Sequence, residues 1–349
     1  MSAWRFLVGS FKHIAVSLWI LALQVWWKLR GNRFSFHLGG DTVRSVQGCT
    51  AIVTGGNAGI GLETSRLLVE HGMHVIVACR SPERGQEAVE DIRRTCGQDA
   101  RVETMSLDLN DLCSVRDFVA QVKDKQLPVK VLVNNAGVFC PPFGLTKQGF
   151  EQQVGVNHLG HHYLTMLLSD VLVANSPARV VNVSSETYKL ATLFERGPEE
   201  LFATEDTYNA FDEYSVSKLC NVCFTVEFDR RFKEQGVRST CLHPGVVDTG
   251  IFRSLPWPLG TLCGWIAPHL YRTAKEGAAT SLYCALSDEV EGVGAEYFDS
   301  CIPRGINEEA ISKAPALWEL SEKLLGQALP AQEVDKREME SEEEEVVVM

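Results

Sequence analysis

Positive charge is scarce in this sequence. Lysine and arginine number 33 against 45 acids, a formal net charge of −12 over 349 residues. Such a chain lacks the basic footprint that a nucleic-acid backbone requires, so no nucleic-acid partner is expected. Much of the acid excess is local: eight acids from Glu333 to Met349 face only Lys336 and Arg337. Residues 327–349 therefore read as a solvated, disordered acidic tail. A disulfide framework is also missing, because the eleven cysteines are odd in number and scattered; reducing surroundings follow. Cys220 and Cys223 have Cys-x2-Cys spacing but neither a second pair nor a turn, and are expected as buried thiols on a helix. His158, His161 and His162 lack a neighbouring carboxylate motif, so packing is expected of them and no metal site is predicted. There is no internal repeat and no sign of a second globular domain.

One long apolar run stands out. Residues 14–27 carry no charge and end in Trp26 and Trp27, followed by Lys28, Arg30 and Arg33. Fourteen helical residues reach about 21 Å, short of the roughly 30 Å of hydrocarbon. Extension over 11–29 approaches that length, with Lys12 and Lys28 reaching the two interfaces. A cleaved signal peptide is the rival, but no small-residue cleavage site follows Trp27. Residues 1–30 are thus expected to be a retained membrane anchor and 31–47 a linker. The remainder, 48–326, has enough apolar content for one large core.

Within it, strands and helices alternate. Strand patterns cover 50–54, 73–79, 102–107, 129–134, 179–184, 237–242 and 295–298, with helical patterns at 82–95, 112–122, 151–174, 214–233 and 274–287. Helix-sized connections between strands imply right-handed βαβ units, hence an α/β doubly wound parallel sheet with its ligand at the strands' carboxyl ends. The first strand runs into Thr54-Gly55-Gly56-Asn57-Ala58-Gly59-Ile60-Gly61. Strand, glycine turn and helix make a dinucleotide site: Gly55 permits unusual backbone angles, Gly59 leaves room for a phosphate, and Gly61 lets the helix approach the sheet. The helix N-terminus attracts the pyrophosphate.

The second strand ends in Cys79-Arg80 with no acid to hold a ribose 2′-hydroxyl. Arg80 matches a 2′-phosphate instead, which favours NADP(H) over NAD(H). Asp108 ends the third strand, where it would meet the adenine edge, and Asn134-Asn135-Ala136-Gly137 ends the fourth. Tyr214 and Lys218, four apart on a helix, share one face. An ammonium beside a phenol is expected to lower its pKa toward the working range. Ser185 is placed to donate to a substrate oxygen. Asn157 is harder to read, since a mid-helix asparagine can be satisfied locally.

These motifs, in this order, resemble the short-chain dehydrogenase/reductase family over residues 48 to about 300. The resemblance implies a catalytic set of Asn157, Ser185, Tyr214 and Lys218, with Asn157 supporting the lysine through a proton path. Gly55, Asn57, Gly59, Ile60, Gly61, Asn135, Ala136 and Gly137 would border the cofactor. In His243-Pro244-Gly245-Val246-Val247-Asp248-Thr249, the residues Pro244, Gly245, Val247 and Thr249 would meet its nicotinamide end. Ser185 and Tyr214 lie 29 positions apart, longer than in most members. With Cys79-Arg80 and Ser217-Lys218-Leu219-Cys220-Asn221-Val222, that insertion resembles the retinol-dehydrogenase-like branch. The branch implies a lipophilic substrate: a retinoid, steroid or polyprenoid. Apolar residues 252–271 are expected to cover it, with a second membrane contact or a packed core loop as the alternatives. The rival reading from another class is a membrane-anchored NADP(H)-binding scaffold without turnover; a sugar-nucleotide epimerase usually has a shorter glycine turn. The expected partners are the substrate, membrane lipid through residues 1–30, and a second copy in a homodimer. The expected location is the endoplasmic reticulum or lipid droplets, with the catalytic domain in the cytosol.

Overall fold

The computed structural model describes residues 46–195, 197, 200–247 and 272–329. The expected anchor, the linker to residue 45, the covering segment 252–271 and the tail beyond 329 lie outside the described residues, as does Thr249.

The central strands bury both faces, so their apolar β-branched residues run on almost without alternation. The strands are β1 (Thr50–Thr54), β2 (His74–Cys79), β3 (Val102–Ser106), β4 (Val129–Asn134), β5 (Ala178–Val183), β6 (Val237–His243), β7 (Glu296–Asp299) and β8 (Ile302–Pro303). Among the described residues they form one sheet in the order β3-β2-β1-β4-β5-β6-β7-β8. All neighbours pair in parallel except the closing β7–β8 hairpin. The chain steps outward from β1 to β3, then returns to place β4 on the other side of β1. That reversal opens a crevice at the carboxyl ends of β1 and β4.

Alternate strand residues feed two core layers. Ala51, Val53, Val75, Val77 and Val131 pack with α1 (Gly59–Glu70), α2 (Pro82–Cys96) and α7 (Ala274–Leu286). Ile52, Ile76, Ala78, Leu132 and Val180 pack with α3 (Leu112–Asp124), α4 (Gly160–Leu167) and α6 (Ala210–Phe232). Asn182 is buried in β5, where it bonds Asn134, Thr225 and Ser239. Cys220 and Cys223 are free and buried in α6.

Two helical regions differ from the sequence expectation, and the antiparallel edge strand β8 was not expected at all. The single helix expected over 151–174 is broken into a short turn Gln152–Val154, a π-helical turn Gly155–Leu159, α4, and α5 (Ser169–Ala174). The Gly160 N–H there reaches back five residues to the Gly155 carbonyl, which widens the helix at Asn157. The second is α8 (Glu308–Ala328), for which no element was expected. Asn307 caps it, and Ala310, Ala314, Leu317, Ser321 and Leu325 form its buried stripe. Pro315 lies inside the helix and interrupts the pattern in sequence. It packs along α6, covering Leu219, Val222 and Cys223.

Candidate active site

The crevice is a cleft of about 430 Å³. Its floor is the glycine turn. Gly55 has φ +63°, and a Cβ on Gly61 would lie 2.2 Å from the Gly55 carbonyl oxygen, so neither position admits a side chain. The turn leads straight into α1, whose N-cap residue Ala58 offers no side-chain bond and whose first turn has no acid. The free N–H groups and the helix dipole suit a pyrophosphate. Asn57, Gly59, Ile60 and Gly61 line this part, while Arg80, Asp108, Asn135, Ala136, Gly137 and Pro244 line its rim. Arg80 makes no ion pair among the described residues, which leaves its charge free for an anion. Asp108 accepts the Asn110 N–H at 3.1 Å. Arg272 lies against Gly245, and Val247 is buried against Gly277 of α7.

The far end holds the ionisable pair. Asn209 caps α6 through the Phe211 and Asp212 N–H groups, starting the helix one turn before Tyr214. Tyr214 and Lys218 both line the cleft, with the Lys218 Nζ 5.5 Å from the Tyr214 ring centroid. The ammonium donates to the Val183 carbonyl at 3.0 Å, at the end of β5. The Ser185 hydroxyl hydrogen-bonds the Tyr214 phenol, and the edge of that ring meets Phe139 at 4.7 Å.

Asn157 lies behind them, fully buried. Its amide accepts the Val138 N–H at 2.8 Å and donates to the Val138 carbonyl and Ser217 Oγ, both at 3.0 Å. Ser217 in turn donates to the Tyr214 carbonyl at 2.7 Å. The four residues expected to act together thus meet around one end of the cleft.

One expectation is corrected. The phenol pKa was expected to fall beside the ammonium, but burial pushes Tyr214 up, and the Ser185 bond offsets only part of that. Burial also lowers Lys218, to about 8. The free site therefore holds a neutral phenol beside an ammonium that is mostly charged at neutral pH. A protonated phenol is the form that can give a proton to a carbonyl oxygen.

Comparison with known proteins decides the family. Residues 49–193 match the short chain dehydrogenase family. The chain is 42% identical to the human WW domain-containing oxidoreductase over 83% of its own length and 71% of that protein. It is 37% identical to mouse retinol dehydrogenase 14, covering 89% of this chain and 94% of the relative. A solved structure of an uncharacterized protein from Mycobacterium Paratuberculosis superposes with a TM-score of 0.61 at 32% identity, covering 81% and 96% of the two chains.

The chain belongs to the short-chain dehydrogenase family.

Its relatives place it in the retinol-dehydrogenase-like branch, and it is an NAD(P)-dependent oxidoreductase acting on CH–OH donors. Further residues that the motifs do not display lie in or behind the cleft. Arg84, in the first turn of α2, also lines the cleft with Ser81. The available signal was a second arginine just inside the helix that follows Ser81. Thr54 was visible only as part of a motif, yet its hydroxyl accepts the Asn135 and Ala136 N–H groups, both at 2.9 Å. Gln153 is buried and ties the Cys140 N–H to Tyr208 and the Ala210 carbonyl. Nothing in sequence marks it apart from its neighbour Gln152.

Proposed function

We propose that this short-chain dehydrogenase uses NADP(H) to move hydride between the nicotinamide and the carbonyl or hydroxyl carbon of a lipophilic substrate of the retinoid, steroid or polyprenoid class. The observation that carries the reading is the buried Tyr214 phenol, bonded to Ser185 and set beside Lys218 at the end of the glycine-turn cleft. The cofactor, when bound along that turn, supplies or accepts the hydride. Tyr214 gives its proton to the substrate oxygen in reduction and takes it back in oxidation. Ser185 holds the same oxygen by a hydrogen bond that strengthens as charge develops. The Lys218 ammonium stabilises the phenolate left behind, and Asn157 fixes the turn on which the lysine's proton path depends. The cofactor-binding roles fall to Gly55, Asn57, Gly59, Ile60, Gly61, Asn135, Ala136, Gly137 and Pro244. Arg80, with Arg84, pairs with the 2′-phosphate, which favours NADP(H).

Two features support an apolar substrate. Phe139 meets the Tyr214 ring, so aromatic surface borders the phenol. The retinol dehydrogenase relatives point the same way. We further read residues 1–30 as the membrane tether, 31–47 as linker, 48–329 as the enzyme, since α8 runs to Ala328, and 330–349 as acidic tail, the enzyme facing the cytosol. A bilayer would then concentrate the substrate beside the cleft. The test is turnover of a panel of lipophilic aldehydes and ketones with NADPH and NADH. Reduction with preference for NADPH supports the reading; a preference for NADH overturns the cofactor assignment, and no turnover on any member overturns the reaction.

A further inference from the structure

We infer that His161 is a positioning residue: its imidazole, protonated at Nδ1, ties the end of β1 to the widened helical turn that holds Asn157. The inference rests on the proposed roles of Asn157 and Tyr214. His161 is buried at 3% exposure, one turn beyond Asn157. Its Nδ1 lies 3.0 Å from the Asn157 backbone carbonyl, and its Nε2 lies 2.8 Å from Thr54 Oγ1.

Both ends of the ring place the proton on the same nitrogen. A carbonyl oxygen only accepts, so Nδ1 must carry the hydrogen in that bond. Thr54 Oγ1 already receives two backbone N–H groups, from Asn135 and Ala136, which fill its acceptor sites. Its own O–H must then donate. The imidazole Nε2 at 2.8 Å is closer than the alternative, the Val133 carbonyl at 3.4 Å. A second proton is opposed by burial and by the neighbouring Lys218 charge, which bring the imidazole down to about 4. The ring stays neutral with one defined tautomer.

The bridge joins the two halves of the site. On one side Thr54 holds the Asn135-Ala136 border of the cofactor cleft. On the other, Asn157 bonds Val138 and Ser217, and Ser217 bonds the carbonyl of Tyr214. Asn157 sits on a π-helical turn, where the regular bonding of an α-helix is interrupted. The imidazole pins that turn from the next one. It lies outside the cleft lining and acts only through Asn157 and Thr54.

Nitrogen-15 NMR of histidine-labelled full-length protein tests this, with His161→Asn identifying the resonance. The expected result is Nδ1 protonated and Nε2 bare, unchanged from about pH 6 to about pH 9. A ring protonated at Nε2, or one titrating near the ordinary value of about 6.5, overturns the inference. In kinetics, His161→Leu should lower kcat on the order of 10²-fold through misplacement of Asn157, with KM for NADPH little changed. His161→Asn, whose amide can still donate to the Asn157 carbonyl, should recover part of that loss. Wild-type kcat in folded His161→Leu, or no recovery in His161→Asn, counts against the role. The tautomer needs no turnover, so it decides this inference even where the reaction assignment fails. Conversely, intact turnover in Tyr214→Phe would sink that assignment alone.

Discussion

Tyr214 and Lys218 impose opposite demands on the same buried site. Burial favours the neutral form of each, yet the proposed reaction needs the lysine charged. Tyr214→Phe should lower kcat by about 10²–10⁴-fold, the usual span for an acid/base group, while fluorescence titration finds cofactor binding nearly unchanged. Equal loss of both would assign the phenol to binding. The lysine makes a prediction with a sign. Its folded pKa of about 8 lies below its unfolded value of 10.5. A base with a lowered folded pKa weakens the fold wherever it is charged, so the penalty is full below pH 8 and fades as pH rises toward 10.5. Lys218→Met should therefore stabilise the protein at pH 7 by on the order of 3 kcal/mol, with the gain shrinking above pH 8, while turnover collapses. Denaturant unfolding at several pH values measures it. An unchanged or lower stability at pH 7 would mean the ammonium is better solvated than its burial implies.

At the same scale, Arg80→Ala should weaken NADPH by about 10–100-fold, the worth of one charge-assisted hydrogen bond, and leave NADH almost unaffected. Parallel losses for both cofactors would remove the 2′-phosphate assignment. Chemistry-bearing side chains were legible in sequence wherever a motif fixed their neighbours: Tyr214, Lys218 and Ser185 needed only a strand and a helix to converge. Thr54 and His161 were not legible as partners. The two lie 107 positions apart and meet only because the sheet order puts β1 beside β4. The pKa direction at Tyr214 was misjudged for a related reason. Sequence spacing reports the nearby lysine but not the depth of burial.

Among the elements, the glycine turn tolerates least. A Cβ at Gly61 would meet the Gly55 carbonyl at 2.2 Å and the Asn135 amide at 2.5 Å. Backbone cannot yield as a flexible side chain can. Gly61→Ala should cost about 1–3 kcal/mol and weaken the cofactor by displacing the start of α1; a neutral effect on both would show that the turn has slack. The central strands and most helices could be read from the sequence because both faces of the sheet's middle are covered and its apolar runs are nearly uninterrupted. The π-helical turn could not, since Gly155-Val156-Asn157-His158-Leu159 carries no signature distinguishing a wide turn from an ordinary one. Its glycine fits tightly, as a Cβ there would lie 2.4 Å from Thr146 Cγ2. Helix α8 escaped notice because Pro315 breaks its pattern, although Asn307 and the stripe from Ala310 to Leu325 were in view.

On the scale of the whole molecule, the reversal of strand order beside β1 brings residues from five strands' ends to one crevice. The glycine turn, Arg80, Asp108, Asn135 and Val183 come from the ends of β1 to β5 in turn. The proposed tether adds a claim about where this happens. Removing residues 1–30 should release the enzyme from membranes resistant to alkaline carbonate, and should reduce activity on bilayer-dissolved substrate far more than on a short soluble carbonyl. Equal activity on both would dissociate the tether from catalysis. The central claim, that hydride passes from NADPH to a carbonyl carbon with Tyr214 as proton donor, has one direct measurement. Purified enzyme is given NADPH deuterated on a single face of C4 and a lipophilic aldehyde, and the alcohol is analysed by mass spectrometry. The account predicts deuterium on the former carbonyl carbon from one face only, and almost none from Tyr214→Phe in the same time. Label absent from the wild-type product, or transferred equally fast by Tyr214→Phe, would contradict it.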